Sequence, residues 1–185
     1  GELVHRAVAA QRGRGEVIAM KCRDRVAGVH AKGIAHGDLM PEHFLVSGGE
    51  VVLIDFGFAH RLENPDSCLV PRPAGFTATY AAPEIRDRDE VRPSTRSDIY
   101  SICLIISELL DAANDTGCLA SAVSRSNGLC EDPGDRPPSC SHLRAIYEAQ
   151  LRRRVQVRRA GAGAAAISTS VVFGLGLYSS VSSFT

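Results

Sequence analysis

Residues 97–110 read SDIYSICLIISELL, a run whose apolar side chains fall on nearly every face of a helix. A helix with one apolar stripe can lie on a surface, but one that is apolar all round has to be enclosed by other elements. The chain must therefore build a shell around this segment, which places the helix in the middle of a domain. Ser94 or Thr95 stands where an N-cap oxygen is needed. With 185 residues, 44% of them hydrophobic and 23% charged, there is material for one globular domain and no sign of a disordered or fibrous chain.

The elements of the shell can be read from periodicity. The run VIAMKCRDRVAGVHAK at 17–32 sets Val17, Met20, Val26, Ala27 and Val29 near one helical stripe, and Gly33 follows as a stop. Two short apolar runs, FLVS at 44–47 and VVLI at 51–54, are separated by Gly48, Gly49 and Glu50, which predicts a β-hairpin. Residues 60–79 carry prolines and glycines with little periodicity and predict a long surface loop. Residues 111–138 are polar and turn-rich, with a short apolar patch at 119–123. A last helix is predicted over 139–154, with Leu143, Ile146, Tyr147 and Leu151 on one face. No internal repeat is present.

Charge and cysteine usage narrow the function classes. The 21 basic and 21 acidic residues cancel, so net charge suggests no nucleic-acid partner. Cys22, Cys68, Cys103, Cys118, Cys130 and Cys140 form no C-x-x-C pair and read as reduced thiols, which places the chain in the cytoplasm. Cys140 and His142 have no second ligand pair at a metal spacing. No secretory signal is read at the start, where Gly1 leads directly into helix-like sequence. Arg152, Arg153, Arg154, Arg158 and Arg159 precede an uncharged stretch over 160–185. That stretch is diluted by Gly, Ser and Thr, whereas a spanning helix wants about 20 strongly apolar residues. The tail therefore reads as weakly structured, and the arginines as a solvated helix end, in preference to a membrane anchor.

The chemistry concentrates in two runs. HGDLMPEHF at 36–44 holds Asp38 just before the hairpin, where a carboxylate can accept a proton or orient a hydroxyl. DFGFA at 55–59 holds Asp55 at a strand end before a glycine, where a carboxylate can bind a divalent cation. Phosphoryl transfer needs both functions. Either run alone is also ordinary turn chemistry, so order and spacing carry the signal.

In that order and spacing the chain resembles the eukaryotic protein kinase family, Ser/Thr type, and specifically its C-terminal lobe. HGDLMPEHFLV is similar to the catalytic loop, IDFGFA to the metal-binding start of the activation segment and TYAAPE to its end. SDIYSICLIISELL resembles the central buried helix, and EDPGDRP the segment before the last helix. The matches cover about residues 17–150. An aminoglycoside-phosphotransferase-like fold shares the HGD and ID runs, but the APE run and the SDIYS helix favour the protein kinase branch.

The resemblance implies roles residue by residue. Asp38 would be the catalytic Asp, and Asp55 the residue that holds magnesium bridging the ATP phosphates. His36 and Phe56 would stack beneath the site, with Gly57 completing the DFG run. Leu45 would form the apolar floor under adenine. Glu84 would pair with Arg136 to tie the activation segment to the lobe, and Asp98 would accept backbone N–H bonds from the catalytic loop. Thr77 resembles the Thr typical of Ser/Thr kinases.

Several positions depart from the family pattern. The Arg expected after His36 is Gly37, which removes the cation that would read a phosphorylated loop. The Lys expected two residues after Asp38 is Met40, and losing one such electrostatic contact costs about 10²-fold or more in rate. The Asn expected at the second-metal position is His43, whose imidazole suits zinc or copper better than magnesium, or else only packs against the hairpin. Nothing before residue 36 offers a Gly-rich loop or a strand lysine; GRGE at 13–16 is too short, and Lys21 lies within a helix pattern. From Asp98 to Arg136 is 38 positions (136 − 98), too few for the two helices that follow the central one in the family, although 119–130 has room for a shortened one.

The expectation is an α+β fold, mainly helical: a truncated kinase-like C-terminal lobe with a small β-hairpin over 17–150, a helical or flexible lead-in over 1–16 and a low-complexity tail over 151–185. The resemblance implies ATP and Mg²⁺ as cofactors and a protein substrate or scaffold partner, with no turnover by the isolated chain. The alternatives are a pseudokinase or scaffold, and a degenerate product without a stable fold.

Overall fold

The computed structural model describes residues 1–10, 15–62, 70–71, 78–87, 90–113, 118–150, 152–153 and 156. Everything below concerns the unit Gly1–Glu148. Its elements run β1 (Glu2–Leu3), α1 (Val4–Ala10), α2 (Gly15–His30), β2 (Ile34–Ala35), β3 (Phe44–Ser47), β4 (Glu50–Leu53), β5 (His60–Arg61), β6 (Val70–Pro71), α3 (Pro83–Arg86), β7 (Glu90–Val91), α4 (Thr95–Ala112) and α5 (Cys118–Arg125). A sixth helix, α6, begins at residue 140. The fold is α+β, with small antiparallel sheets set against helices.

Helix α4 is enclosed, as a run without a polar face must be: Ile99, Ile102, Cys103, Ile105, Ile106, Leu109 and Leu110 are all fully buried. Its start is fixed by a reciprocal capping box, in which the Ser94 hydroxyl accepts from the Ser97 N–H and the Ser97 hydroxyl accepts from the Ser94 N–H. Helices α1, α2 and α5 and the three-stranded sheet surround it, and α6 adds Leu143 and Tyr147 to the same cluster.

The buried face of α2 follows the stripe expected from periodicity in part: Val26 is buried and Met20 and Ala27 pack against the core. Ile18, Ala19, Cys22 and Val26 are buried, while Val17 is 55% exposed. The spacing 18, 22, 26 is a true i, i+4 row, whereas Val17 falls on the solvent side; the abundance of small apolar residues in this helix left two stripes nearly equal by count. Arg23 lies on the buried side and is satisfied there by the Asp24 carboxylate, with its guanidinium 5.8 Å from the Tyr147 ring centroid.

The hairpin pairs Phe44↔Leu53 through Ser47↔Glu50, closed by Gly48 and Gly49 at φ 58° and 82°. Two consecutive positive φ values define the tight turn whose twist matches the strands, and glycine accepts them without steric cost. Strand β1 adds a third member, pairing Glu2↔Val46 and Leu3↔Leu45, and α1 then drops Val4, Ala7 and Val8 into the core. Two short strands stand where a loop is expected, β5 paired with β2 and β6 with β7, while 63–69 and 72–77 lie outside the described residues. Helix α5 occupies the 118–125 region. Among the described residues no helix is long and apolar enough to cross a membrane.

Cys22, Cys103 and Cys140 are buried, and burial pushes their thiols up, Cys22 to about 12 and Cys103 to about 11. In the native chain at neutral pH these three should resist maleimide while Cys130, which is partly accessible, reacts first. Rapid labelling of Cys22 without denaturant, read by peptide mass mapping, would show that the α2–α4 core is not packed.

Candidate functional site

The loop that carries Asp38 hangs from one carboxylate. Asp98, on the first turn of α4 and 1% exposed, accepts from the His36 N–H at 2.7 Å and the Gly37 N–H at 3.0 Å. Its Oδ2 also accepts from His30 Nε2 at 2.8 Å. Three donors around a buried carboxylate offset its desolvation and leave the loop little freedom. Reading the sequence identified Asp98 but missed His30, which marks the end of α2; its only signal was a lone His in the last helical turn before Gly33.

Gly37 has φ +81°, and a Cβ there would fall 2.6 Å from the Phe58 carbonyl oxygen and 2.7 Å from Pro93 Cγ. Chain from both flanks therefore occupies the space at this position. His36 is fully buried; its Nε2 donates to the Ile54 carbonyl at 3.1 Å, and its ring meets Phe56 at a centroid distance of 4.9 Å. Burial holds the His36 imidazole below its ordinary range.

His43 lies between the main chain of Asp38 and the side chain of Asp55. Its Nδ1 contacts the Asp38 carbonyl oxygen at 2.8 Å, and its Nε2 lies 3.6 Å from Asp55 Oδ2. Asp55 sits just past β4 in the left-handed region, at φ 63°, with its side chain 58% exposed. That backbone is unusual for a residue other than glycine and turns the carboxylate out to solvent beside the loop. Oδ1 caps the turn by accepting from the Gly57 N–H at 3.3 Å. Burial pushes the Asp38 carboxyl above its usual range, and the nearby His43 and His36 rings pull it back. Among the described residues no group of three or more His, Cys, Asp or Glu side chains gathers into a metal cage.

Leu45 lies mid-strand in β3, half-buried, opposite Leu3 on one side and Val52 on the other. Met40 is half-buried and precedes the short 3₁₀ turn Pro41–His43. Thr77 lies outside the described residues.

At the far end of the segment Glu84, on α3, meets Arg136. The guanidinium is fully buried and uses all five of its N–H groups: two on the Glu84 carboxylate at 2.7 and 2.8 Å, and one each on the carbonyls of Cys130, Glu131 and Arg96. The Tyr100 ring closes one face at 5.0 Å. Arg96 in turn binds the carbonyls of Pro133, Gly134 and Arg136.

The sequence profile of the protein kinase domain matches residues 3–116, well over half of the chain. The chain belongs to the protein kinase family. It is 36% identical over 87 residues to the dual specificity protein kinase TTK of Mus musculus, covering 42% of this chain and 10% of that one. The serine/threonine-protein kinase PknD of Mycobacterium tuberculosis is 36% identical over 85 residues, 45% and 12% of the two chains. The human serine/threonine-protein kinase H1 is 34% identical over 119 residues, 60% and 27%. The chain thus spans between a tenth and about a quarter of the length of these curated relatives.

The geometry of this kinase-family site carries two stability expectations, both read by urea denaturation. Arg136→Met leaves Glu84 half-buried without a partner and should cost about 3–5 kcal/mol. Gly37→Ala combines an unfavourable φ with two close contacts and should cost more than the roughly 1 kcal/mol that glycine substitutions shift at compatible sites. An unchanged midpoint in either variant would contradict the packing described.

Proposed function

We propose that this chain carries the substrate-side half of an ATP-dependent protein phosphotransferase site, with Asp38 orienting a Ser or Thr hydroxyl and Asp55 holding the cation that accompanies the nucleotide. The observation that supports this reading most is His43 touching Asp38 and Asp55 at once. It ties the main chain at Asp38 to the Asp55 carboxylate, and the Asp38 carboxyl is near enough to feel the Asp55 charge, which supports the grouping of acceptor and cation ligand that transfer to a hydroxyl requires.

The donor set fits one hard divalent ion at Asp55, whose exposed carboxylate has room for water and phosphate oxygens. It does not fit a second magnesium at position 43, where an imidazole nitrogen replaces the oxygen donor such an ion prefers. ATP would supply the phosphoryl group and the cation its charge neutralisation. What the chain itself contributes is position: Asp98 holds the loop, His36 and Phe56 support the strand end, and Leu45 offers an apolar seat for the nucleotide base. The raised Asp38 carboxyl is closer to the range in which it can share a hydroxyl proton. With Met40 where a lysine would steady the moving phosphoryl group, turnover by these 185 residues alone is slower by about 10²-fold or more.

A second reading, a pseudokinase that keeps the lobe as an interaction scaffold, is favoured by Met40 and His43 together. Isothermal titration of ATP with Mg²⁺ into the wild type, Asp55→Asn and Asp38→Asn, run beside phosphate transfer to a Ser/Thr peptide library, separates the two. Binding lost in Asp55→Asn but kept in Asp38→Asn, with transfer lost in both, supports the phosphotransferase. Wild-type binding without transfer supports the pseudokinase, and no binding by a folded chain rejects a nucleotide site.

A further inference from the structure

The last turns of α2 and strand β4 leave a cleft of about 360 Å³ between them, with Phe56 in its wall and Asp55 outside its lining. Its apolar surface is open to water: Val52 is 50% exposed and Phe56 47%. The Phe56 ring meets His36 at a centroid distance of 4.9 Å and still stands half exposed beside Val29 and Leu53. Large apolar side chains gathered around one cleft mark a contact surface, whereas single ones scattered over a protein do not.

Gly28 lies midway along the α2 bank of this cleft, and a Cβ built on it meets nothing within 4 Å. Folding gives no reason for a glycine here, since alanine would fit and would strengthen the helix. The missing side chain instead keeps the cleft open between its two ends.

Charge narrows what the cleft can take. Its charged lining residues are Asp24, Arg25, Lys32 and Glu50. Asp24 is bound by Arg23, and Glu50 by Lys21 and Arg25 together, so both carboxylates are neutralised and two cations share one of them. Lys32 has no carboxylate partner among the described residues. The charge left on offer is positive, and its complement in an occupant is a carboxylate. Small-molecule sites bury most of their ligand. This cleft leaves Val52 and Phe56 open to water and runs beside a helix, which suits a length of chain.

We propose that the α2–β4 cleft docks a peptide segment of a partner protein, one that sets a bulky apolar side chain against Val52 and Phe56 over Gly28 and a carboxylate on Lys32. The inference stands apart from the phosphotransferase reading, in which neither Gly28 nor Lys32 has a part.

The probe is a library of random dodecapeptides displayed on phage and selected on the wild-type chain. An enriched peptide is then titrated by fluorescence anisotropy into wild type, Gly28→Ala, Gly28→Leu and Lys32→Glu, each checked for fold by circular dichroism. The enriched sequences should share a bulky apolar residue with an Asp or Glu close by. Affinity should fall at least about tenfold in Gly28→Leu, whose side chain fills the cleft, and in Lys32→Glu, while Gly28→Ala should bind nearly as wild type does. A peptide with its carboxylate exchanged for lysine should regain affinity on Lys32→Glu, which loss of structure alone cannot produce. Affinity unchanged by Gly28→Leu, or no enriched peptide on a folded chain, overturns the inference. Loss in Gly28→Leu without loss in Lys32→Glu overturns the carboxylate assignment, and displacement of the peptide by an equal concentration of decanoate overturns the peptide in favour of a free amphiphile. The Mg²⁺–ATP titration judges the proposed function separately.

Discussion

The carboxylate of Asp98 is the joint on which the site turns. It belongs to α4, the most enclosed element, yet its hydrogen bonds all go to residues of α2 and the loop beyond it. A buried charge is tolerated only when its lone pairs are filled, so the folded state admits the loop in one position. The capping box at Ser94 and Ser97 sets where α4 starts and hence where Asp98 stands. Through this chain of causes, the apolar character of residues 97–110 determines the placement of Asp38, which lies far from them in sequence.

Arg136 performs a comparable task at the other end of the segment, by a different economy. A planar guanidinium has five donors in fixed directions, and here each has an acceptor. Two of those acceptors, the Cys130 and Glu131 carbonyls, are main-chain groups outside any helix or strand, so one side chain orders the turn at 130–136 as well as α3. A lysine could not replace it, having three donors on a freely turning head.

How much of this could be read beforehand follows from the range of the interactions. The α4 helix, the hairpin and its Gly48–Gly49 turn, and the α2 helix are local patterns, and each stands within a residue or two of the expected place. Strand β1 was not legible, because two residues hold no periodicity and their only reason to be extended is a partner some forty positions away. The exposure of Val17 on α2 has a similar cause: with small apolar residues on both sides, only the position of α4 decides how the buried row is centred. At the site, Asp38, Asp55, Glu84, Asp98 and Arg136 stood out by motif, whereas His30 and Pro93 act purely through three-dimensional proximity.

The departures from the family pattern differ in how the structure accommodates them. Gly37 is required by its surroundings: the Phe58 carbonyl and Pro93 fill the space, so the missing arginine could not return without moving the flanking chain. Met40 is half-buried and precedes the 3₁₀ turn, and the structure gives no explanation for a thioether there. His43 is integrated by its bond to the Asp38 carbonyl, and that bond is what commits its other nitrogen to Asp55. An asparagine amide in the same place could turn either its oxygen or its nitrogen towards the carbonyl and the carboxylate. The imidazole cannot present an oxygen at all, and it supports the loop through its Nδ1 contact to the Asp38 carbonyl.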